Sequence, residues 1–147
     1  MEYDFIDGQK VPPTEITSDT HLVGVHRGTV KVLAGELILS GTLQGTLSVS
    51  RGASVLISGK QHGTVALGSG SNIVVTGSIH GTTVLEPNSN LIIEEGGKLA
   101  GTLQNDGVVI IRGAFGGARS RMGRFQVEGN GYIKEPVIKN GAHYYEW

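Results

Sequence analysis

The sequence predicts an all-β, single-domain chain: a triangular β-solenoid with about 18 residues in each coil. Three observations predict it. Gly-Thr pairs begin at positions separated by 17, 18, 18 and 20 residues: Gly28, Gly45, Gly63, Gly81 and Gly101. A second set of glycines keeps the same interval: Gly41, Gly59, Gly77 and Gly97. Short apolar triplets repeat with these glycines, and a fixed period of this length is typical of stacked coils.

Each repeat contains three strand-like pieces, one for each face of the predicted triangle. The first piece occupies residues 30–32, 47–49, 65–67, 83–85 and 103–105, and the second occupies residues 37–39, 55–57, 73–75, 91–93 and 109–111. The third contributes one inward residue just before the next Gly-Thr pair: Leu43, Gln61, Ile79, Leu99 and Phe115. Three- to four-residue alternating pieces with glycine at the corners favour strands over helices. Gln61 and Asn105 are polar at inward positions, so each amide needs hydrogen-bond partners.

The period assigns four parts to the chain. We expect an N-terminal segment or cap over 1–21, solenoid repeats over 22–117, a Gly/Arg-rich loop with an incomplete last coil over 118–131, and a C-terminal hairpin or tail over 132–147. Residues 125–127 match the second apolar piece. Residues 118–124 would place an arginine at an inward position, and burying it without a partner costs several kcal/mol. That stretch is therefore expected to leave the solenoid as a loop.

The C-terminal residues carry the signal of a hairpin. Asn-Gly at residues 140–141 favours a two-residue turn between strands. Four aromatic residues in this region are predicted to cap the open end of the core: Tyr132, Tyr144, Tyr145 and Trp147.

Composition excludes several function classes. The chain has no cysteine, which rules out disulfides, thiol nucleophiles and Cys-ligated metal sites. A net charge of −1 argues against a nucleic-acid binder that neutralises phosphates. No apolar run is long enough to span a membrane, and residues 1–10 carry three carboxylates without an apolar stretch. We therefore expect a cytoplasmic protein.

Two segments carry a family resemblance. Residues 45–65 (GTLSVSRGASVLISGKQHGTV) and 91–103 (LIIEEGGKLAGTL) resemble the bactofilins, bacterial β-helical scaffold proteins. The resemblance covers about residues 22–115. It implies a right-handed triangular β-helix without a cofactor, in a cytoplasmic scaffold that polymerises without nucleotide. The chain departs from the family where its Arg-rich segment and aromatic hairpin follow the last coil, so small closed assemblies are predicted instead of filaments.

Enzymatic and metal-binding alternatives rest on the histidines. His62 and His80 precede the glycine in successive Gly-Thr pairs, so their rings would stack outward, but no third ligand recurs in that column. Hexapeptide transferases and γ-carbonic anhydrases also use coils of this length, but the five histidines (21, 26, 62, 80 and 143) do not follow their spacing. We expect no enzyme activity, no metal and no cofactor.

The second outward-facing feature is a cluster of arginines near the end of the repeats: Arg112, Arg119, Arg121 and Arg124. Either these side chains are simply solvated, or they form a docking site for an acidic partner or a phosphate.

An apolar column on the second face gives the most specific functional hypothesis. The middle residue of each second piece points outward and should be polar in a solvated solenoid, yet it is apolar in five coils: Ile38, Leu56, Val74, Ile92 and Ile110. We call these five residues the apolar stripe. It predicts a structural or scaffold protein that binds itself or another protein. The alternatives are an immunity or defence-related protein that masks a partner, or a terminal segment of this chain that covers the stripe.

Overall fold

The structure is a computed structural model that describes residues 4–6, 9–11, 14–120, 123–129, 131–133, 137–139 and 142–144. These residues form strands and turns without any helix. The strands are β1 (Asp4–Ile6), β2 (Gln9–Val11), β3 (Thr14–Ile16), β4 (Thr20–Leu22), β5 (Val25–Arg27), β6 (Val30–Val32), β7 (Glu36–Leu39), β8 (Thr42–Gln44), β9 (Leu47–Val49), β10 (Ser54–Ile57), β11 (Lys60–His62), β12 (Val65–Leu67), β13 (Asn72–Val75), β14 (Ser78–Leu85), β15 (Asn90–Ile93), β16 (Lys98–Asn105), β17 (Val108–Ile111), β18 (Ala114–Ser120), β19 (Arg124–Val127), β20 (Tyr132–Ile133), β21 (Val137–Lys139) and β22 (Ala142–Tyr144).

The chain is a β-solenoid with three parallel ladders, as the sequence predicts. One ladder is a seven-stranded sheet in the order β19-β17-β15-β13-β10-β7-β4, which we call the stripe face. The second ladder contains β3, β6, β9 and β12, and the third contains β5, β8 and β11. Both ladders continue into the longer strands β14, β16 and β18. They merge because these longer strands pass through a corner without a break. Each coil therefore contributes one strand segment to every face.

The register confirms all three predicted inward columns. Val65 pairs with Leu47 and Thr83, Val55 with Leu37 and Ile73, and Gln61 with Leu43 and Ile79, each one coil away. Within each strand, buried residues alternate with partly exposed ones. The core is consequently a set of apolar stacks with Phe115 near the last coil, and Gln61, Thr83 and Asn105 are the polar residues in the predicted inward columns that are buried.

The solenoid is longer than the expected 22–117. β3, β4 and β5 pair in parallel with β6, β7 and β8, so the first complete coil begins at Thr14. At the other end, β19 pairs with β17 and β20 pairs with β18. Tyr132 thus lies in the last coil and not in the hairpin that the sequence predicts for residues 132–147.

The prediction that residues 118–124 leave the sheet as a loop is wrong for residues 118–120. These residues continue β18 in register with β16, which aligns Arg119 with the buried Leu103. The Arg119 side chain is not buried, because no described residue pairs with β18 beyond Phe115 on this side and Arg119 stays exposed. Its guanidinium carbon lies 4.3 Å from the centre of the Phe125 ring, a cation–π contact that shields the core edge.

Two antiparallel strand pairs stand outside the solenoid. β1 pairs with β2, and β21 pairs with β22, so that Lys139 aligns with Ala142. The second pair joins strands on either side of residues 140 and 141. Of the predicted cap residues, Tyr145 and Trp147 and the side chain of Tyr144 lie outside the described residues, and Tyr132 is exposed in β20.

Candidate functional site: the stripe face

The apolar stripe forms the centre line of the stripe face. Its five residues align across successive strands, and each is partly exposed between two buried neighbours. The same column begins with His21 in β4 and ends with Gln126 in β19. The apolar part therefore spans the second to the sixth of seven strands and is polar at both ends.

Mainly polar columns flank the stripe on both sides. The column before it contains Asp19, Glu36, Ser54, Asn72, Asn90, Val108 and Arg124, and the column after it contains Val23, Ser40, Ser58, Thr76, Glu94, Arg112 and Glu128. Val23 and Val108 are the apolar members of these two columns. The Nδ2 group of Asn90 donates a hydrogen bond to Oδ1 of Asn72 at 3.0 Å. At the first strand, His21 Nε2 and the Ser40 hydroxyl are 2.7 Å apart. An apolar centre with a polar rim is the anatomy of a protein–protein contact.

Of the four predicted arginines, the three that the structure describes lie at different places. Arg112 lies in the flanking column, where its guanidinium contacts a Glu94 oxygen at 2.7 Å and a Glu128 oxygen at 3.3 Å. The hydrogen bond to Glu94 is the main cause that raises the pKa of Arg112 above its ordinary value. Arg124 lies in the opposite flanking column, Arg119 covers the core end, and Arg121 lies outside the described residues.

His62 and His80 form an outward pair on another face. Their ring centres are 5.2 Å apart and the planes differ by 14°, a stacked arrangement. Burial is the largest cause that lowers the pKa of His80, and His62, Lys98 and Lys60 lower it further by repulsion. Among the described residues, no three His, Asp or Glu side chains are grouped to hold a metal ion.

The two inward side-chain amides, Asn105 and Gln61, differ in how far their hydrogen-bonding groups are satisfied. Asn105 donates from Nδ2 to the Arg124 carbonyl at 2.8 Å and accepts from the Gly107 amide at 2.9 Å, which holds the shortened turn at residues 106–107. Gln61 donates from Nε2 to the Gly45 carbonyl at 2.9 Å, while its Oε1 is buried without a partner among the described residues. Both side chains are buried in the core, so neither belongs to the outward surface of the stripe face.

Sequence reasoning found the stripe but missed the charge distribution around it. Asp19 and Glu36 stand at the first two strands, and Arg124 stands at the seventh. The period of the sequence contains this signal, because Glu36 and Arg124 occupy the same position in different coils.

Comparison with known proteins gives no relative. No family model, no curated protein and no solved structure matches the chain. The part of the chain that the structure describes has no helix long and apolar enough to cross a membrane.

Proposed function

We propose that this protein is a non-enzymatic scaffold that associates with itself through the stripe face. The observation that carries the proposal is the apolar stripe itself: five consecutive coils present an apolar residue at the centre of one parallel sheet. A bactofilin-like scaffold in the cytoplasm is the form of this proposal that the resemblance implies.

A comparison between faces supports this assignment. The equivalent outward column of the first face is mixed: Lys31, Ser48, Ala66, Val84 and Gln104. β-Propensity acts on both faces alike, so it does not explain an apolar column on one face alone. Covering a ridge about 19 Å long, with an apolar area of order 200 Å², stabilises an assembly by about 5 kcal/mol before entropic costs.

The test is the oligomeric state of a double variant, Val74→Lys with Ile92→Lys. Both side chains point outward, so the core stacks stay intact, while two lysines in the centre of the stripe oppose apolar packing. We expect the wild-type protein to form a dimer or small assembly at micromolar concentration and the variant to be monomeric, by sedimentation velocity.

The matched control is Ala66→Lys with Val84→Lys, which places the same two charges on the outward column of the first face. It should keep the fold, by circular dichroism, and the wild-type oligomeric state. A wild-type protein that is monomeric at high concentration, or a stripe variant that assembles like the wild type, would contradict the proposal.

A further inference from the structure

We infer that two copies pack their stripe faces together with antiparallel solenoid axes, related by a two-fold axis that runs along the strand direction over Val74. The inference rests on the proposed self-association and specifies its geometry. It follows from the position of the stripe in the sheet and from the charges at the two ends of the flanking column.

The stripe is symmetric about Val74. That residue lies in β13, the fourth of seven strands, so three strands lie on each side. The two-fold rotation reverses the order of strands and keeps each column opposite itself. It places Leu56 opposite Ile92, and Ile38 opposite Ile110. At the polar ends of this column, His21 meets Gln126, so within the column apolar residues face apolar ones and polar residues face polar ones. In the flanking columns the match is weaker, because Glu36 faces Val108 and Val23 faces Glu128.

Apolar matching alone does not exclude a parallel pair, in which each stripe residue would face its own copy. Charge decides between the two. In the antiparallel pair, Asp19 of one copy faces Arg124 of the other, twice by symmetry, and Glu36 lies one strand away. All three side chains are exposed, and Arg124 makes no salt bridge with any described residue.

The parallel pair gives a poorer match. It places Arg124 opposite Glu128, which Arg112 already neutralises at 3.3 Å. It also gathers Asp19 and Glu36 of both copies at one end of the assembly without an opposing cation in the two flanking columns. Uncompensated like charges at one end oppose association, so the antiparallel arrangement is favoured.

The area is sufficient for a reversible dimer. Seven strands spaced by about 4.8 Å give a face about 29 Å long, and five residues along each strand give about 16 Å of width. Each copy would bury about 460 Å², which brings the total to about 900 Å², below the size of stable interfaces and within the range of weak, transient ones. Such a contact dissociates on dilution and is therefore sensitive to single charges.

Cross-linking at the outer stripe positions tests the orientation. The chain has no cysteine, so Ile38→Cys and Ile110→Cys each introduce a single thiol. In the antiparallel pair these two thiols face each other, while identical thiols are about 19 Å apart along the stack. With a short bismaleimide and a size tag on one variant, we expect a covalent heterodimer from the mixture and little product from either variant alone.

Val74→Cys is the positive control, because its thiol meets its own copy in both arrangements. Cross-linking of Ile38→Cys alone, as efficient as that of the mixture, would overturn the antiparallel geometry while leaving self-association intact. A failure of Val74→Cys to cross-link in a protein that sediments as a monomer would instead overturn the proposed function.

The charge contribution has its own measurement. Arg124→Glu replaces two attractive pairs by repulsive ones, so we expect the dimer dissociation constant to rise about tenfold at low salt and less at high salt. Arg51→Glu changes the same charge at an exposed corner outside the stripe face and should leave the constant unchanged. An unchanged constant for Arg124→Glu would refute the charge matching that selects the antiparallel pair.

Discussion

Gly63→Ala should destabilise the solenoid far more than an ordinary glycine substitution. Gly63 stands at a corner with φ of +125°, and an added Cβ would overlap the carbonyl oxygen of Gly45 in the preceding coil. Gly52 also has a positive φ, +81°, but nothing lies within 4 Å of its added Cβ. Comparing alanine substitutions at the two positions therefore distinguishes the cost of the backbone conformation, which both share, from the cost of the close contact between coils, which only Gly63 has.

The expected magnitudes follow from the geometry. To relieve the overlap, the coils must separate at this corner, which stretches the Gly45 N–H to His62 carbonyl bond and the Leu47 N–H to Thr64 carbonyl bond, both 2.8 Å. Each weakened bond costs about 1 kcal/mol, and the backbone conformation costs about 1–3 kcal/mol more for alanine. We expect a loss of about 3–5 kcal/mol for Gly63→Ala and about 1–2 kcal/mol for Gly52→Ala.

Thermal denaturation followed by the β-sheet circular dichroism band measures this difference. At roughly 2–4 °C per kcal/mol for a chain of this size, Gly63→Ala should melt about 5–10 °C below Gly52→Ala. Equal melting temperatures would show that glycine is required at these corners for its backbone conformation alone. The close approach of the Gly45 carbonyl oxygen to Gly63 would then make no contribution.

Two further predictions test the register and the histidine pair. Ile73→Asp should unfold the protein, because Ile73 is 1 % exposed and the buried carboxylate would have no partner. The control Ala66→Asp lies on an outward position and should change the free energy of urea unfolding by less than about 1 kcal/mol. An Ile73→Asp protein that is soluble and unfolds cooperatively would refute the register. The pKa of His80 is lowered in the folded state. Its contribution to folding stability is therefore fully present above the ordinary histidine pKa and is lost as the pH falls through the lower pKa of the folded state. His80→Gln should therefore flatten the pH dependence of stability between about pH 7 and 5. His62→Gln should raise the pKa of His80 in an NMR titration. If neither variant has its expected effect, the repulsion between His62 and His80 is contradicted.

The repeat of the sequence determined the coils, the three faces and the inward columns. Each strand segment pairs with the equivalent segment one coil away, so that a position in the period is also a position in space. The apolar stripe was predictable for the same reason, since alternation along a strand separates inward Ile73 from outward Val74.

Only the tertiary structure decided what happens where the period weakens. Thr14–Ile16 lacks the preceding Gly-Thr pair, yet it forms a first coil because β6 offers it an unpaired edge. Arg119 was expected to leave the sheet because an inward arginine is costly in a covered coil. Among the described residues none pairs with the outer edge of β18 at Arg119, so Arg119 keeps the strand register, stays exposed and lies over Phe125. The sequence determines the spacing of the residues along the coils. The free-energy cost of a charged side chain at an inward position depends instead on whether a further coil covers it, which only the tertiary structure shows.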